Sequence, residues 1–483
     1  MSTMAISSYD RDNLLSRLRA LLPEKAILTR PEEMAPFLLD WRGREAGEAA
    51  AVLLPSSVEE VVQIVARACQ FGVALFPQGG NTGLCYGSVP QSGQTNLVIG
   101  MRRMNRILDV DPVANVITME AGAILANVHE AAAAVGRTVP LHLGSEGSAQ
   151  IGGLVSTNAG GTGALRYGPM RDLVCGLQVV LPDGAVFTDL AALVKNNTGF
   201  DLKHLFVGAE GTLGVVTAVA LRMHPAMKMS AHGWLALEKA SQAMMVLRRL
   251  QDRFDTALMA CELLSGSQVD LVLKEIPDVH SPFAQTPNYN LLIELGSVDA
   301  GAPLSDQLEE LLGECLEQGH AFDAIVARSE EQAARIWRIR HSVSEANKVG
   351  GYSYTHDVAV RVSKVPEFID ACDAWLAGHY PAATPFIVAH LGDGNVHYIA
   401  MFAAEARDTL TNHDAQTIQT AIHDIAVGLG GSFSAEHGIG RKLVGELERL
   451  SDPVRYRLMR DVKQMIDGEG FLNPGVLFPA RTK

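Results

Sequence analysis

The chain has 483 residues, 47% hydrophobic and 19% charged, with a net charge of −14. That length exceeds one ordinary core and predicts two or three domains of an enzyme-like globular protein. The acidic balance argues against nucleic acid and against an anionic membrane surface, which both need basic patches, and no run of about 18 apolar residues marks a membrane span.

Six cysteines, at 69, 85, 175, 261, 315 and 372, are scattered without a C-x-x-C pair. They read as reduced thiols of a cytoplasmic protein. The start Met1-Ser-Thr-Met-Ala-Ile-Ser7 shows no charged residue followed by an apolar core, so no secretory signal is visible.

Residues 1–50 read as helical and polar. Ser57-Val-Glu-Glu60 is a capping box, with Ser at the N-cap and Glu three residues on. Val58, Val61, Val62, Ile64, Val65 and Ala68 then keep helical spacing towards Gly72. Val73–Phe76 is a predicted strand feeding a glycine loop. Residues 96–121 read as a strand and a hairpin with Asp111-Pro112 near its turn, and 123–135 as an Ala-rich helix. The stretch 144–168 holds eight glycines in 25 residues. Strands are predicted at 173–181 and 185–188 around Pro182-Asp-Gly184. A further strand runs to about Met223, and His224-Pro225 closes this half.

From 226 the glycine density falls. Strands are predicted at 234–237, 289–295, 322–327, 353–362, 385–391 and 395–402, with helices at 239–251, 304–318, 330–347, 366–376 and 412–428. The alternation suggests an α+β domain, a mixed sheet with helices on one face. The last fifty residues read as helical and end in Phe471-Leu-Asn473-Pro-Gly475.

His390-Leu-Gly-Asp-Gly-Asn-Val-His397 reads as a hairpin. If Asp393-Gly394 is a two-residue type I′ turn, His390 stands opposite His397, with side chains about 5 Å apart. Two imidazoles so held form a clip for a divalent metal. Glu436, in Ser434-Ala-Glu436-His437-Gly438, offers a third ligand. Two histidines and a carboxylate with an open position are the catalytic pattern for zinc. His437, next to that ligand, is placed to move a proton. A satisfied turn histidine and a strand histidine remain the plain alternative for the pair.

Gly79-Gly80-Asn81-Thr82-Gly83 follows a predicted strand. Its glycines let backbone N–H groups close on an anion, with Asn81 and Thr82 as further donors, and a pyrophosphate is the natural guest. A glycine-rich turn is the plain alternative. G-x-x-x-x-G-K-[ST] is absent. A G-x-G-x-x-G fingerprint starting at Gly161 would need glycine at 166, where arginine stands. The separated clusters suggest a long, flat cofactor touched by the backbone of many loops.

Pro77-Gln78-Gly79-Gly80-Asn81-Thr82-Gly83-Leu84, Gly152-Gly153-Leu-Val-Ser-Thr157-Asn158-Ala-Gly160-Gly161, Leu165-Arg166-Tyr167-Gly168, Asn197-Thr-Gly-Phe-Asp-Leu202 and Glu210-Gly211-Thr-Leu-Gly214 resemble the FAD-binding half of the vanillyl-alcohol-oxidase-type flavoproteins. His390–Asn395, Ala435–Gly438 and Asn473-Pro-Gly475 resemble the FAD-linked oxidase C-terminal domain. The resemblance runs over nearly the whole chain in one order. It is strongest to the D-2-hydroxyglutarate dehydrogenase branch, with D-lactate dehydrogenases and glycolate oxidase subunits as relatives. It implies an α+β fold: a two-subdomain FAD-binding domain over 1–225, a substrate (cap) domain over 226–430, and a helical segment over 431–483 returning to the FAD domain. Non-covalent FAD would lie on the first three of these runs, on Glu210, Gly211 and Gly214 of the last, and on Gly144, Ser148, Val215 and Asn473. The first glycine loop has no histidine or cysteine for covalent attachment, and nearby Cys85 reads as a buried thiol.

The resemblance also implies zinc or another divalent metal on His390, His397 and Glu436, with His437 as the base. It places Arg340, on the helix opened by Trp337, on the substrate carboxylate, with Ser344 on the same helix face in place of a threonine. Two positions depart from the branch: Thr355 stands where it carries lysine, and Ile399 where it carries asparagine. Both changes remove polar groups for a distal carboxylate and point towards D-lactate or another less polar D-2-hydroxy acid. His356 and Arg361 are candidates to restore the charge, although Arg361 reads better as a solvated strand residue.

The expected reaction is oxidation of a D-2-hydroxy acid to a 2-keto acid, with hydride passing to the flavin. No haem motif or iron–sulfur run is present, so electrons leave to an external acceptor, an electron-transferring flavoprotein or a quinone. A homodimer is a possible assembly. A zinc hydrolase leaves the glycine-rich half unexplained, and a passive electron carrier leaves the metal set unexplained.

Overall fold

The computed structural model describes residues 8–91 and 95–480. The start expected to lack a secretory signal, residues 1–7, lies outside the described residues. The chain forms two compact units. One is Met1–Gly161, Tyr167–Pro225 and Glu436–Lys483, and the other is Thr162–Arg166 and Ala226–Ala435. No helix among the described residues is long and apolar enough to cross a membrane.

The first unit holds two main sheets. In the smaller, the order is Ile27–Leu28, Ala51–Leu53, Asn96–Gly100, Ala74–Gln78, and the last three strands are parallel. The larger is antiparallel, in the order Ile107–Asp111, Val116–Glu120, Val215–Arg222, Val174–Val180, Val186–Asp189. The helix Val58–Phe71 starts where the capping pattern places it, because the Ser57 side chain accepts from the Glu60 N–H. It stops at Gly72, whose φ of 62° suits glycine alone among common residues. Its face Val61, Ile64, Val65 and Ala68 is buried in the core. The N-terminal region is less polar than expected, since Leu14 and Leu18 on the helix Ser8–Arg19 are fully buried.

The second unit is built on a seven-stranded sheet. The order is Asp323–Val326, Met229–Leu237, Tyr289–Ser297, Leu258–Ser265, Thr384–His390, Asn395–Phe402, Tyr352–Ala359. Every pairing is antiparallel, where a mixed sheet was expected. Helices cover both faces rather than one. Helices Ala240–Phe254, Leu304–Glu317, Val365–His379 and Asn412–Gly428 close one core, and Gly266–Glu275, Glu330–His341 and Val343–Val349 close the other. The central strand Leu258–Ser265 is apolar on both sides for that reason, burying Leu263 in one core and Leu264 in the other.

Two local expectations are corrected. The 390–397 hairpin does not turn on two residues: His390 pairs with Asn395 and Val388 with His397, leaving a four-residue loop, 391–394. Asp393 drives this register by accepting the Asn395 N–H at 3.0 Å, and Gly394 takes φ 84°. The predicted helix 330–347 is interrupted at Ser342, so Arg340 and Ser344 lie on successive helices.

Candidate active site

In the first unit the glycine-rich segments meet. A Cβ on Gly80 would lie 2.0 Å from the Ser148 carbonyl oxygen, and one on Gly79 3.4 Å from the Gly153 Cα. A Cβ on Gly152 would reach the Ala121 Cβ at 2.7 Å. Glycine is required at 80 and 152, where a side chain would meet a neighbour this closely, whereas Gly79 has ordinary contact distance to spare. The side chains around the cradle are spent inward. Gln78 donates to Phe37 O and Ser88 O, and Asn81 donates to Pro36 O and Leu39 O while accepting from Ser88. Thr157 donates to Gly153 O, and Asn158 accepts from the Arg171 N–H. Asn81 is therefore a brace rather than the additional donor expected of it. What remains is backbone: the N–H groups of Gly80, Asn81, Thr82 and Gly83 donate to no acceptor among the described residues. Asn81 is held at φ 54°, which turns successive amides towards one side. Orphan amides in such a nest fit a pyrophosphate. The buried Gln150 Oε1 beside the cradle likewise has no partner. These residues fit a dinucleotide-type cofactor held by backbone.

Other expected cofactor residues take varied places. Gly211, at φ 72°, packs on Pro77, Gly214 lies against Val179 just before the strand Val215–Arg222, and Val215 opens that strand in the core. Leu84 is half-buried and Tyr167 stacks its ring 4.4 Å from that of His224. Gly144 has open space at its Cβ position, and the Ser148 hydroxyl donates to Ser145 O. Gly161 and Gly168 both have positive φ. Arg166 belongs to the second unit, with Nη1 beside the Met259 and Met227 sulfurs. Asn473 ties Gly87 O and Glu210 O through its amide. The Glu210 carboxylate accepts from the Ile439 and Gly440 N–H groups, both at 2.8 Å. Burial outweighs these bonds and pushes its carboxyl up to about 7. Cys85 is buried and donates to Gly438 O, as its buried-thiol reading expects. Glu436 opens the returning segment of this unit and sits against Gly160, its Cγ 3.5 Å from the position of a Cβ there. His437 follows it.

The second unit gathers a polar constellation on one face of its sheet. Glu262 pairs with His390 across neighbouring strands. It is 1% exposed, and a carboxylate buried to that degree needs cationic partners. It has two. Its Oε2 accepts from Arg340 Nε at 2.6 Å and its Oε1 meets His390 Nδ1 at 2.6 Å. Burial raises the Glu262 carboxyl, but the charges of His390 and Arg340 and their hydrogen bonds outweigh it and hold it at about 2. On the next strand His397 Nδ1 lies 3.5 Å from Asp357 Oδ1, and Asp357 also accepts from Asn395 Nδ2 at 2.9 Å. The corrected register keeps both histidines on one face, diagonal rather than opposed, with ring centroids 5.6 Å apart at 78°.

A carboxylate beside each Nδ1 is the arrangement found behind imidazoles that ligate a metal through Nε2. His390 and His397 therefore fit a divalent metal. Arg340 Nη2 stands 3.4 Å from His390 Nε2. Thr355 pairs with Ile399 on the same face. Ile399 is 3% exposed and packs in a core with Phe386, Val388 and Ile336. Ser344 and Arg361 are exposed. Glu262 and Asp357 were not foreseen. The signal for Glu262 was present: one acid in the apolar run Leu258-Met-Ala-Cys-Glu-Leu-Leu264.

Residues 228–477 match the C-terminal domain of FAD-linked oxidases, and residues 49–189 match an FAD-binding domain. Among curated proteins, the mitochondrial D-2-hydroxyglutarate dehydrogenase of Arabidopsis thaliana is 34% identical over 98% of this chain and 82% of its own length. D-2-hydroxyglutarate dehydrogenase of Xanthomonas citri pv. viticola is 34% identical over 97% of both chains. Among solved structures, p-cresol methylhydroxylase with substrate bound aligns with TM-score 0.76 at 15% identity, covering 98% of each chain. Alkyldihydroxyacetonephosphate synthase aligns at 0.72 and 17%, covering 98% of this chain and 86% of that one. At such identities these structures speak for the fold alone, and the fold is that of the vanillyl-alcohol-oxidase-type flavoproteins.

Proposed function

The chain belongs to the FAD-linked oxidase family, and on that footing we propose that it oxidises a D-2-hydroxy acid to the 2-keto acid with metal assistance. The relatives named D-2-hydroxyglutarate dehydrogenases support the substrate class and, within it, the five-carbon dicarboxylate. The observation that carries the reading is the Glu262 bridge. It holds an arginine and a metal-type imidazole 3.4 Å apart. A 2-hydroxy acid presents a carboxylate and a hydroxyl on adjacent carbons, the first suited to the guanidinium and the second to a metal on the imidazole.

Arg340 binds the carboxylate. Its Nε is taken by Glu262, so the Nη1–Nη2 edge is the part that meets substrate. His390 and His397, with Glu436, would hold zinc or another divalent cation, which when bound favours the alkoxide form of the hydroxyl. His437 takes the hydroxyl proton, a task that suits an imidazole near neutral pH. Bound FAD supplies the hydride-accepting chemistry, on the cradle of residues 79–83. Re-oxidation falls to an external acceptor, an electron-transferring flavoprotein or a quinone.

The pairing of Thr355 with Ile399 favours a second reading of specificity. Neither residue offers a cation to a distal carboxylate, so D-lactate or a larger apolar D-2-hydroxy acid would suit this face better. A steady-state panel of D- and L-2-hydroxy acids with an artificial electron acceptor, with identification of the keto acid formed, tests both. Turnover of D-2-hydroxyglutarate far above D-lactate selects the first reading, and the reverse selects the second. Turnover of none overturns the reaction class.

A further inference from the structure

A second set of metal-type donors lies in the first unit, whereas the constellation around Glu262 belongs to the second. His129 is on the helix Leu125–Ala133, and His142 and Glu146 are on the segment that carries Gly144 and Ser148. One ligand atom from each of the three lies within 4.8 Å of the others. Glu146 Oε1 is 3.0 Å from His142 Nδ1, its Oε2 is 3.5 Å from His129 Nδ1, and the two rings are 4.9 Å apart. Donors about 2 Å from a tetrahedral zinc lie roughly 3.3 Å from one another, and the two imidazole–carboxylate gaps, one from each Glu146 oxygen, are of that order.

The frame is already fixed. Leu143 N–H holds Glu146 Oε1 at 3.2 Å. Ala126 N–H donates to Glu146 O and Leu125 N–H to Ala149 O, which locks the helix start to the loop. His129 Nε2 is buried without a partner, so Nδ1 is the nitrogen through which this ring meets a polar group.

We propose that His129, His142 and Glu146 form a second divalent transition-metal site, independent of the reading of the Glu262 constellation. Two imidazoles and one carboxylate suit zinc and disfavour magnesium and calcium, which prefer oxygen shells. The remaining coordination positions open to water on the exposed side of His142. A metal here braces the 142–148 loop, whose Ser148 carbonyl is the backbone that Gly80 packs against.

The test uses chelator-stripped protein that retains FAD, titrated with zinc against a chromophoric competitor. The wild type is expected to bind one more equivalent than either His142→Asn or Glu146→Gln, or to bind that equivalent at least 10-fold more tightly. His397→Ala is expected to keep this equivalent while losing the other. Cobalt in place of zinc gives a visible ligand-field band that His397→Ala keeps, a readout that does not require the loop variants to fold. If both loop variants bind as many equivalents as the wild type with equal affinity, the site is overturned. A wild type that binds one equivalent, lost in His142→Asn, supports this site and removes the other.

Discussion

Removing the Glu262 carboxylate takes an acceptor from two cations at once. Glu262→Ala leaves Arg340 without its Nε partner and His390 without its Nδ1 partner, and breaking a buried pair on one side costs about 3–5 kcal/mol. Glu262→Gln keeps the shape and loses the charge. Loss of such a backing carboxylate weakens metal binding by roughly 10–100-fold. The prediction is a zinc affinity lowered by that factor together with a raised KM, read by chelator competition and steady-state kinetics. Unchanged affinity and unchanged KM would make Glu262 a core residue only. At Thr355 the prediction concerns specificity. Thr355→Lys supplies a cation and should shift preference towards a dicarboxylate by about 1–3 kcal/mol, the range for hydrogen bonds to charged groups. Ile399→Asn is a poorer partner for that change than its sequence position suggests. Ile399 is buried among Phe386, Val388 and Ile336, where an unpaired amide is costly. At residue scale, the two histidines were legible from their spacing on a hairpin, and Arg340 from the family resemblance. Glu262 was not, because its meaning depends on which strands flank it.

Among the elements, the hairpin shows what spacing can and cannot fix. Alternation of side chains survives a change of register by two, so His390 and His397 still share a face. The loop length depended on the Asp393 carboxylate bonding Asn395 N–H, which a turn dipeptide does not reveal. The strand Leu258–Ser265 escaped notice because a central strand covered on both faces has no alternation to read. The returning segment carries its own prediction. Glu210 anchors it through Ile439 and Gly440, and burial holds the Glu210 carboxyl at about 7, above its ordinary 4.5. A carboxyl raised in the folded state contributes stability that is full below about pH 4.5 and is lost as pH rises through 7. The span corresponds to about 3 kcal/mol. Thermal unfolding of the holoenzyme should therefore show Glu210→Gln gaining on the wild type between those pH values. A constant difference across the range would contradict the assignment.

For the whole molecule, the 79–83 cradle and the histidine pair 390 and 397 fall in different compact units, which gives separable losses. His397→Ala should abolish the metal at its own site and turnover, yet keep FAD, because the cradle is in the other unit. Gly80→Ala should do the opposite first, since its Cβ would meet the Ser148 oxygen at 2.0 Å. That variant should be purified with little or no flavin, measured by its visible absorbance. His437→Ala should keep metal and flavin and slow flavin reduction by roughly 10² or more. Glycine density falls at residue 226, where the chain passes from the first unit to the second, whereas the antiparallel order of the seven strands was not legible, because pairing partners can lie over a hundred residues apart, as Glu262 and His390 do. The central claim is that electrons pass from C2 of a D-2-hydroxy acid to bound flavin, and single-turnover anaerobic mixing tests it most directly. D-2-hydroxyglutarate or D-lactate should bleach the flavin band of the metal-replete enzyme while the L-enantiomers leave it unchanged. A flavin-replete, metal-replete enzyme whose band is untouched by every D-2-hydroxy acid would contradict the account.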